Sequence, residues 1–466
     1  MFLPSTYTER RRTLVDTLRP TSGVVLLLGN EQCAMNAADN PYPFRQDSTF
    51  LYYFGLDAPG LDGLIDLDEG TARLYGNDPS LDEVVWQGER PSLRERAQRA
   101  GVTETAPRAD LADDLTTAVE QGRTVHLIPP YRDAHYRRLE TLLGLRPARI
   151  DAHVSAPLVD AVIAQRSVKS DDEIEELERA LNTTARMHEA ALERAAPGRT
   201  EREVAGRLAG LAEAHGRGLS FRPTCSVRGE VLHNHEYDNV LESGDLLLVD
   251  AGATSPKHYA GDITRVVPVG GAVTGRQRRI YEAVLAAQEA AREALAPDRP
   301  FVDVHRTAAR VLTEHLIDMG LMHGPAADAV AAGAHALFFP HGLGHMLGLD
   351  VHDMEALGED RVGYAPDQSR SDQFGLHTLR LARPLEPGFV VTVEPGCYFI
   401  PALIEQWCEQ SKHADFIDYD AVAAFEDFGG IRIEDDVVIT DDGARVLGPA
   451  IPKAVADIES RAGVAA

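Results

Sequence analysis

The chain has 466 residues, 44% hydrophobic and 26% charged, a composition that suits a soluble globular protein with room for two full cores. Its formal net charge of −27 opposes nucleic acid and anionic membranes as partners, and no run nears the ~20 apolar residues that span a bilayer. Four scattered cysteines (Cys33, Cys225, Cys397 and Cys408) never form C-x-x-C, which argues against a zinc ribbon or a dense disulfide framework.

Of the 46 basic residues only four are lysine. A codon bias towards Ala, Arg and Asp is one reading of this balance; adaptation of an acidic surface to high salt is the sharper one. The first residues, M-F-L-P-S-T-Y-T-E-R-R-R, put their charges after a short apolar stretch, unlike a secretory signal, so a cytoplasmic protein is expected.

Residues 1–20 predict a short helix closed by Arg19-Pro20, and Gly23–Leu28 predicts a strand. A polar loop then leads to Leu51–Phe54, which reads as an aromatic strand. Gly63–Leu67 and Thr71–Tyr75 flank Asp68-Glu69-Gly70 as a hairpin. Thr124–Ile128 is a further strand, and Ala134–Leu143 has helical spacing. This α/β material carries no evident chemistry, so residues 1–155 are expected to form a smaller supporting domain. Residues 156–175 are expected to hold a linker and the start of a helix, and 176–466 a second domain. Ser170/Glu173, in that linker stretch, and Thr200/Glu203 fit capping boxes, and Gly275–Leu295 and Val302–Met319 predict two more helices. Helices interleaved with short strands make this half α+β.

The stretch Gly244–Arg265 organises the second half. Leu246–Val249 reads as a strand buried on both faces and ends in Asp250-Ala-Gly; Asp262 precedes a second apolar run, Ile263 to Val269. Two carboxylates at neighbouring strand ends inside a protein need a cation, a proton or a donor network. Three later stretches could complete the cluster: F-F-P-H-G-L-G-H-M-L-G-L-D-V-H-D, with His341, His345 and His352; T-V-E-P-G-C-Y, with Glu394; and G-G-I-R-I-E-D-D, with Arg432 and Glu434. Among 17 histidines an H-x-x-x-H spacing alone is weak, and a lone Asp ending a strand is more often a cap. Four carboxylates and an imidazole together suit a pair of divalent cations, Mn²⁺, Co²⁺, Fe²⁺ or Zn²⁺, which acidify a shared water. Metal-assisted hydrolysis is the chemistry that follows.

Together the segments D-A-G…G-D-I-T-R, H-G-L-G-H, T-V-E-P-G and R-I-E-D-D resemble the pita-bread-fold metallopeptidases: aminopeptidase P, prolidase and methionine aminopeptidase. R-Q-D-S-T-F-L-Y-Y-F-G-L (Arg45–Leu56) resembles the N-terminal domain of the proline-directed branch. The resemblance implies a pita-bread catalytic domain with two metal ions, Mn²⁺ first among them, held by Asp250, Asp262, His345, Glu394 and Glu434. It implies an oxyanion-stabilising His233, a substrate-contacting His352, and His341 and Arg432 supporting the ligands from behind. It also implies that Arg380, in G-L-H-T-L-R, grips a substrate carboxylate. Expected activity is hydrolysis of the N-terminal Xaa-Pro bond, as in an Xaa-Pro dipeptidase, with aminopeptidase P activity on longer peptides as the alternative. A non-catalytic binding module on this fold is the remote third reading, and a homodimer is expected. Two departures stand out. Asp250 and Asp262 are one residue further apart than usual, and Met354–Leu379 is a long polar segment of its own kind.

Overall fold

The computed structural model describes residues 1–462, which divide into two compact units: Met1–Arg166 with Glu355–Gly358, and Ser167–Met354 with Glu359 onwards. In the first unit, α1 (Pro4–Thr17) precedes β1 (Val24–Leu28), all five of whose residues are buried. The predicted hairpin forms as β2 (Asp62–Asp66) and β3 (Thr71–Gly76). With β4 (Glu104–Pro107) and β5 (Val125–His126) these make a mixed five-stranded sheet in the order β4-β3-β2-β1-β5. Val24, Leu26 and Leu28 pack with Leu111, Leu115, Leu139 and Leu142 from the adjoining helices.

Leu51–Phe54 is not a strand. It belongs to α2 (Ser48–Phe54), where the Asp47 side chain accepts from Phe50 N and Gly55, at φ 65°, ends the helix. Four bulky residues in a row suit a strand by propensity, but every residue of this short helix is buried, so packing overrides propensity. Residues 156–175 carry α3 (Ala156–Ser167), a short break, and the first turn of α4 (Asp171–Arg194).

The second unit begins with α4 and α5 (Glu201–His215), each opened by the predicted capping box. Three short antiparallel sheets follow. One holds β6 (Thr224–Ser226), β7 (Leu246–Ala251) and β8 (Ile263–Pro268) in the order β8-β7-β6. After α6 (Gly275–Ala294), α7 (Phe301–Asp318) and α8 (Ala326–Ala332) come β9 (Val390–Val393) and β10 (Gly396–Tyr398). β11 (Gly430–Arg432) pairs with β10, and β12 (Asp435–Thr440) pairs with β9 and with β13 (Gly443–Val446). The inner strands are largely apolar, the exceptions including Thr264 and Arg265 in β8, Thr392 in β9 and acidic residues at the ends of β7 and β12.

Candidate metal centre

β7 and β8 pair so that Asp250 lies opposite Thr264, which leaves Asp262 just before the returning strand. Beyond Asp250 the arms cross so closely that a Cβ on Gly252 would stand 1.7 Å from the Gly261 carbonyl oxygen; only glycine fits. A second close approach seats the histidine: a Cβ on Gly344 would lie 2.1 Å from the Thr392 carbonyl. His345 N donates to Thr392 Oγ1 at 3.1 Å, and Thr392 N donates to the His345 carbonyl at 3.0 Å. Glu394 leaves the end of β9, its own N–H bonded to the Leu343 carbonyl at 2.8 Å. Glu434 occupies the break between β11 and β12, its N–H reaching the Thr264 carbonyl at 3.2 Å.

These elements bring the carboxylates and the imidazole together. Ligand atoms of Asp262, His345 and Glu434 all lie within 4.8 Å of one another. His345 Nε2 is 3.4 Å from Asp262 Oδ2 and 3.6 Å from Glu394 Oε1. Asp250 Oδ2 accepts from Arg432 Nη2 at 2.6 Å, while its buried Oδ1 has no hydrogen-bond partner among the described residues. The other imidazole nitrogen, Nδ1, lies 3.0 Å from the Met346 carbonyl, which can only accept, so Nδ1 carries the proton. The Nε2 lone pair then faces two carboxylates, an arrangement that calls for a cation between them.

Charge makes the same demand. Burial, reinforced by Asp250, pushes the Asp262 carboxyl well above its ordinary value. Glu434 rises well above its own, through burial and then Asp262 and Glu394. Burial lifts Glu394 to about 7 against the opposing charges of His345 and Arg432. Asp436, which accepts the Asp262 N–H at 3.0 Å, is raised likewise by burial and by Asp262. One guanidinium cannot neutralise this set. Hard oxygen donors with one nitrogen are the ligands divalent cations take, so the residues fit a metal site.

Arg432, wholly buried, ties the site to what surrounds it. It donates to Asp250, to Thr264 Oγ1 at 3.1 Å through Nε, and to the Tyr398 hydroxyl at 2.9 Å through Nη1. Thr264 Oγ1 in turn donates a hydrogen bond to Glu434 Oε2 at 2.6 Å. His341 does not touch the carboxylates. Its Nδ1 lies 2.8 Å from the Gly342 carbonyl, so Nε2 accepts from the Tyr398 hydroxyl at 2.9 Å. Burial, followed by the Arg432 charge, holds this imidazole neutral, down to about 3.

His352 stands edge-on to His345, ring centroids 4.4 Å apart. Its Nδ1 accepts from Arg380 Nη1 at 2.9 Å, which puts the ring proton on Nε2. Burial, then His345 and Arg380, lowers it to about 2. His233 lies in the loop before β7, exposed and with its ring beside that of His235, and makes no hydrogen bond to the carboxylates among the described residues. Desolvation by its surroundings and then the charge of Arg432 lower its pKa. Thr264, Tyr398 and Asp436 escape a reading of the sequence. Thr264 alone leaves a trace, standing two residues after Asp262 and so on the same side of the strand.

Residues 175–441 match the profile of metallopeptidase family M24, and residues 7–127 match the aminopeptidase P N-terminal domain. The Xaa-Pro dipeptidase of Homo sapiens is 31% identical, over 97% of this chain and 92% of the human protein. The Xaa-Pro aminopeptidase of Escherichia coli K12 is also 31% identical, over 97% of this chain and 96% of that protein. Among solved structures, Pseudomonas aeruginosa aminopeptidase PepP superposes with a TM-score of 0.82 at 28% identity, covering 99% of this chain and 98% of that one. Zinc-substituted E. coli aminopeptidase P with product gives 0.80 at 29% identity, with the same coverage.

Proposed function

This chain belongs to metallopeptidase family M24, and we propose on that premise that it hydrolyses the N-terminal Xaa-Pro bond of dipeptides at a dinuclear metal centre. The fold is the pita-bread catalytic domain, preceded in sequence by an aminopeptidase P-like N-terminal domain. The observation that carries the reading is the His345 Nε2 lone pair aimed between Asp262 and Glu394 in a buried acidic cluster. Asp250, Asp262, His345, Glu394 and Glu434 would hold two divalent ions. Mn²⁺ is the first choice for such hard donors, with Co²⁺, Fe²⁺ and Zn²⁺ as the others. Bound there, such ions supply Lewis-acid polarisation of a carbonyl and acidification of water.

The protein groups then divide the remaining work. Glu394, lifted by burial towards neutrality, takes the proton of the attacking water and passes it to the proline nitrogen as that leaves. His352, its proton fixed on Nε2 by Arg380, donates a hydrogen bond to the oxyanion that develops on the scissile carbonyl, together with His233. Arg432, Tyr398 and His341 hold the ligands in place through hydrogen bonds.

Arg380 is assigned the C-terminal carboxylate of a dipeptide, because a guanidinium forks onto a carboxylate bidentately. Action on longer peptides is the second reading, favoured by the likeness to E. coli Xaa-Pro aminopeptidase over nearly its full length. Cytoplasmic residence and a homodimer complete the proposal. No helix among the described residues is long and apolar enough to cross a membrane. Turnover of Ala-Pro against Ala-Pro-Ala by the Mn²⁺-loaded protein decides between the two substrates. Faster dipeptide hydrolysis is expected. Equal or faster tripeptide hydrolysis would assign the chain to the second reading, and no cleavage of either would overturn both.

A further inference from the structure

Arg380 belongs to neither a helix nor a strand, so no regular ladder of backbone bonds holds it in place. The polar stretch just before it does that instead. On one side, the buried Leu379 carbonyl accepts from the Tyr364 hydroxyl at 2.7 Å and from Arg370 Nη1 at 3.0 Å. Two donors fill both lone pairs of that carbonyl. On the other side, the Gly363 carbonyl accepts from Ala382 N at 2.7 Å and from Arg383 N at 2.9 Å. Between them, a Cβ on Gly363 would stand 1.8 Å from the Arg380 carbonyl oxygen, so any side chain at 363 would push Arg380 away.

Arg370 is held in turn. Its Nη2 and Nε donate to Asp360 at 2.7 and 2.9 Å, Nη2 also meets Glu359, and the guanidinium lies over the Tyr364 ring, 5.1 Å from its centroid. This orients Nη1 towards backbone, where it also reaches the His377 carbonyl at 3.0 Å. Partly exposed ion pairs of this kind add little stability by themselves, but they aim a charge-assisted bond at the residue next to Arg380. We propose, resting on the assignment of Arg380 to the substrate carboxylate, that Arg370 and Tyr364 are positioning residues for Arg380. Through it they set the preference for dipeptides, whose proline carboxylate is free. A guanidinium measures substrate length only from a fixed place, and a misplacement of about 1 Å can cost about 10²-fold. Arg380 also bonds His352 Nδ1, so its displacement lowers kcat on every substrate, whereas a lost carboxylate contact is felt only by substrates that carry one.

Steady-state kinetics of the Mn²⁺-loaded, full-length protein on Ala-Pro and on Ala-prolinamide, which lacks the carboxylate, separate these effects. In Arg370→Met, and separately in Tyr364→Phe, the ratio of kcat/KM for Ala-Pro to that for Ala-prolinamide should fall at least threefold, mainly through a higher KM for Ala-Pro. Hydrogen exchange at the Ala382 and Arg383 amides should quicken in Arg370→Met while far-UV circular dichroism stays that of the native chain. A ratio that either variant leaves unchanged, or exchange as slow as in the native chain, would overturn the positioning role. Arg380→Ala, run alongside, shows which assignment has failed. If it lowers the ratio and Arg370→Met does not, the positioning role alone is wrong. If Arg380→Ala leaves the ratio unchanged, the carboxylate assignment falls and the positioning role with it.

Discussion

Thr264 carries one hydroxyl that serves two charged groups, accepting from Arg432 Nε and donating to Glu434 Oε2. Thr264→Val keeps the shape and removes both bonds, leaving a buried carboxylate short of a donor. Losing such support costs about 10- to 100-fold in metal affinity. Competition with a fluorescent chelator should show that loss while circular dichroism stays unchanged; wild-type affinity would mean that Glu434 does not depend on this hydroxyl. Arg380→Ala is expected to slow Ala-Pro more than Ala-Pro-Ala. Because Arg380 also fixes the ring proton of His352, some loss of kcat on both substrates should accompany it, and equal losses would leave Arg380 only that positioning role. At this scale the acidic residues could be found from the sequence, since Asp250, Asp262 and Glu394 stop or start apolar runs where a charge is out of place. Tyr398 could not, and Thr264 showed only its place two residues after Asp262. A tyrosine or threonine in a strand looks the same whether it packs or bonds an arginine from a distant segment.

Among the elements, one buried carboxylate ties down both ends of the loop between β6 and β7. Glu201, in the first turn of α5, is fully buried; its Oε1 accepts from Val227 N at 2.8 Å and Asn239 Nδ2 at 2.9 Å, and its Oε2 from Asn239 N at 3.3 Å. These bonds clamp both ends of the stretch that carries His233. Glu201→Gln turns an acceptor pair into one acceptor and one misdirected NH₂ group. Tryptic cleavage after Arg228 should accelerate several-fold and kcat should fall by a similar factor; unchanged cleavage would show that the loop is held otherwise. Glu201 reads from the sequence as a helix-start acid, which conceals its second task. The same masking produced the misread strand at Leu51–Phe54, where aromatic propensity hid a helix start supplied by Asp47 and an end supplied by Gly55. The β7–β8 hairpin, the paired capping boxes and the long helices were legible, because each carries its periodicity and its stop signals within a few residues.

Over the whole molecule, buried neutral imidazoles set the acid limit. His188, His305, His335 and His341 all have lowered pKa values, chiefly through burial. The unfolded chain binds protons at these positions before the folded one does, so their contribution to stability is complete above the unfolded value of 6.5 and is lost as pH falls. For His335 the window runs from 6.5 down to about 4, worth roughly 3 kcal/mol. His335→Phe should therefore raise the unfolding midpoint more at pH 5 than at pH 7.5, and an equal change at both would contradict the assignment. The charge of −27 makes the midpoint a test of habitat too: a rise from low to molar KCl supports the high-salt reading, and a flat response leaves the codon bias. Beneath all of this lies one claim, that five side chains from separate segments hold two divalent ions. Metal content per chain, measured at neutral pH after equilibration with Mn²⁺ and removal of the excess, tests it most directly. Two equivalents are predicted for the native protein and fewer than one for a folded Glu434→Ala variant. A native chain that retains no metal, or a Glu434→Ala chain that still holds two, would contradict it.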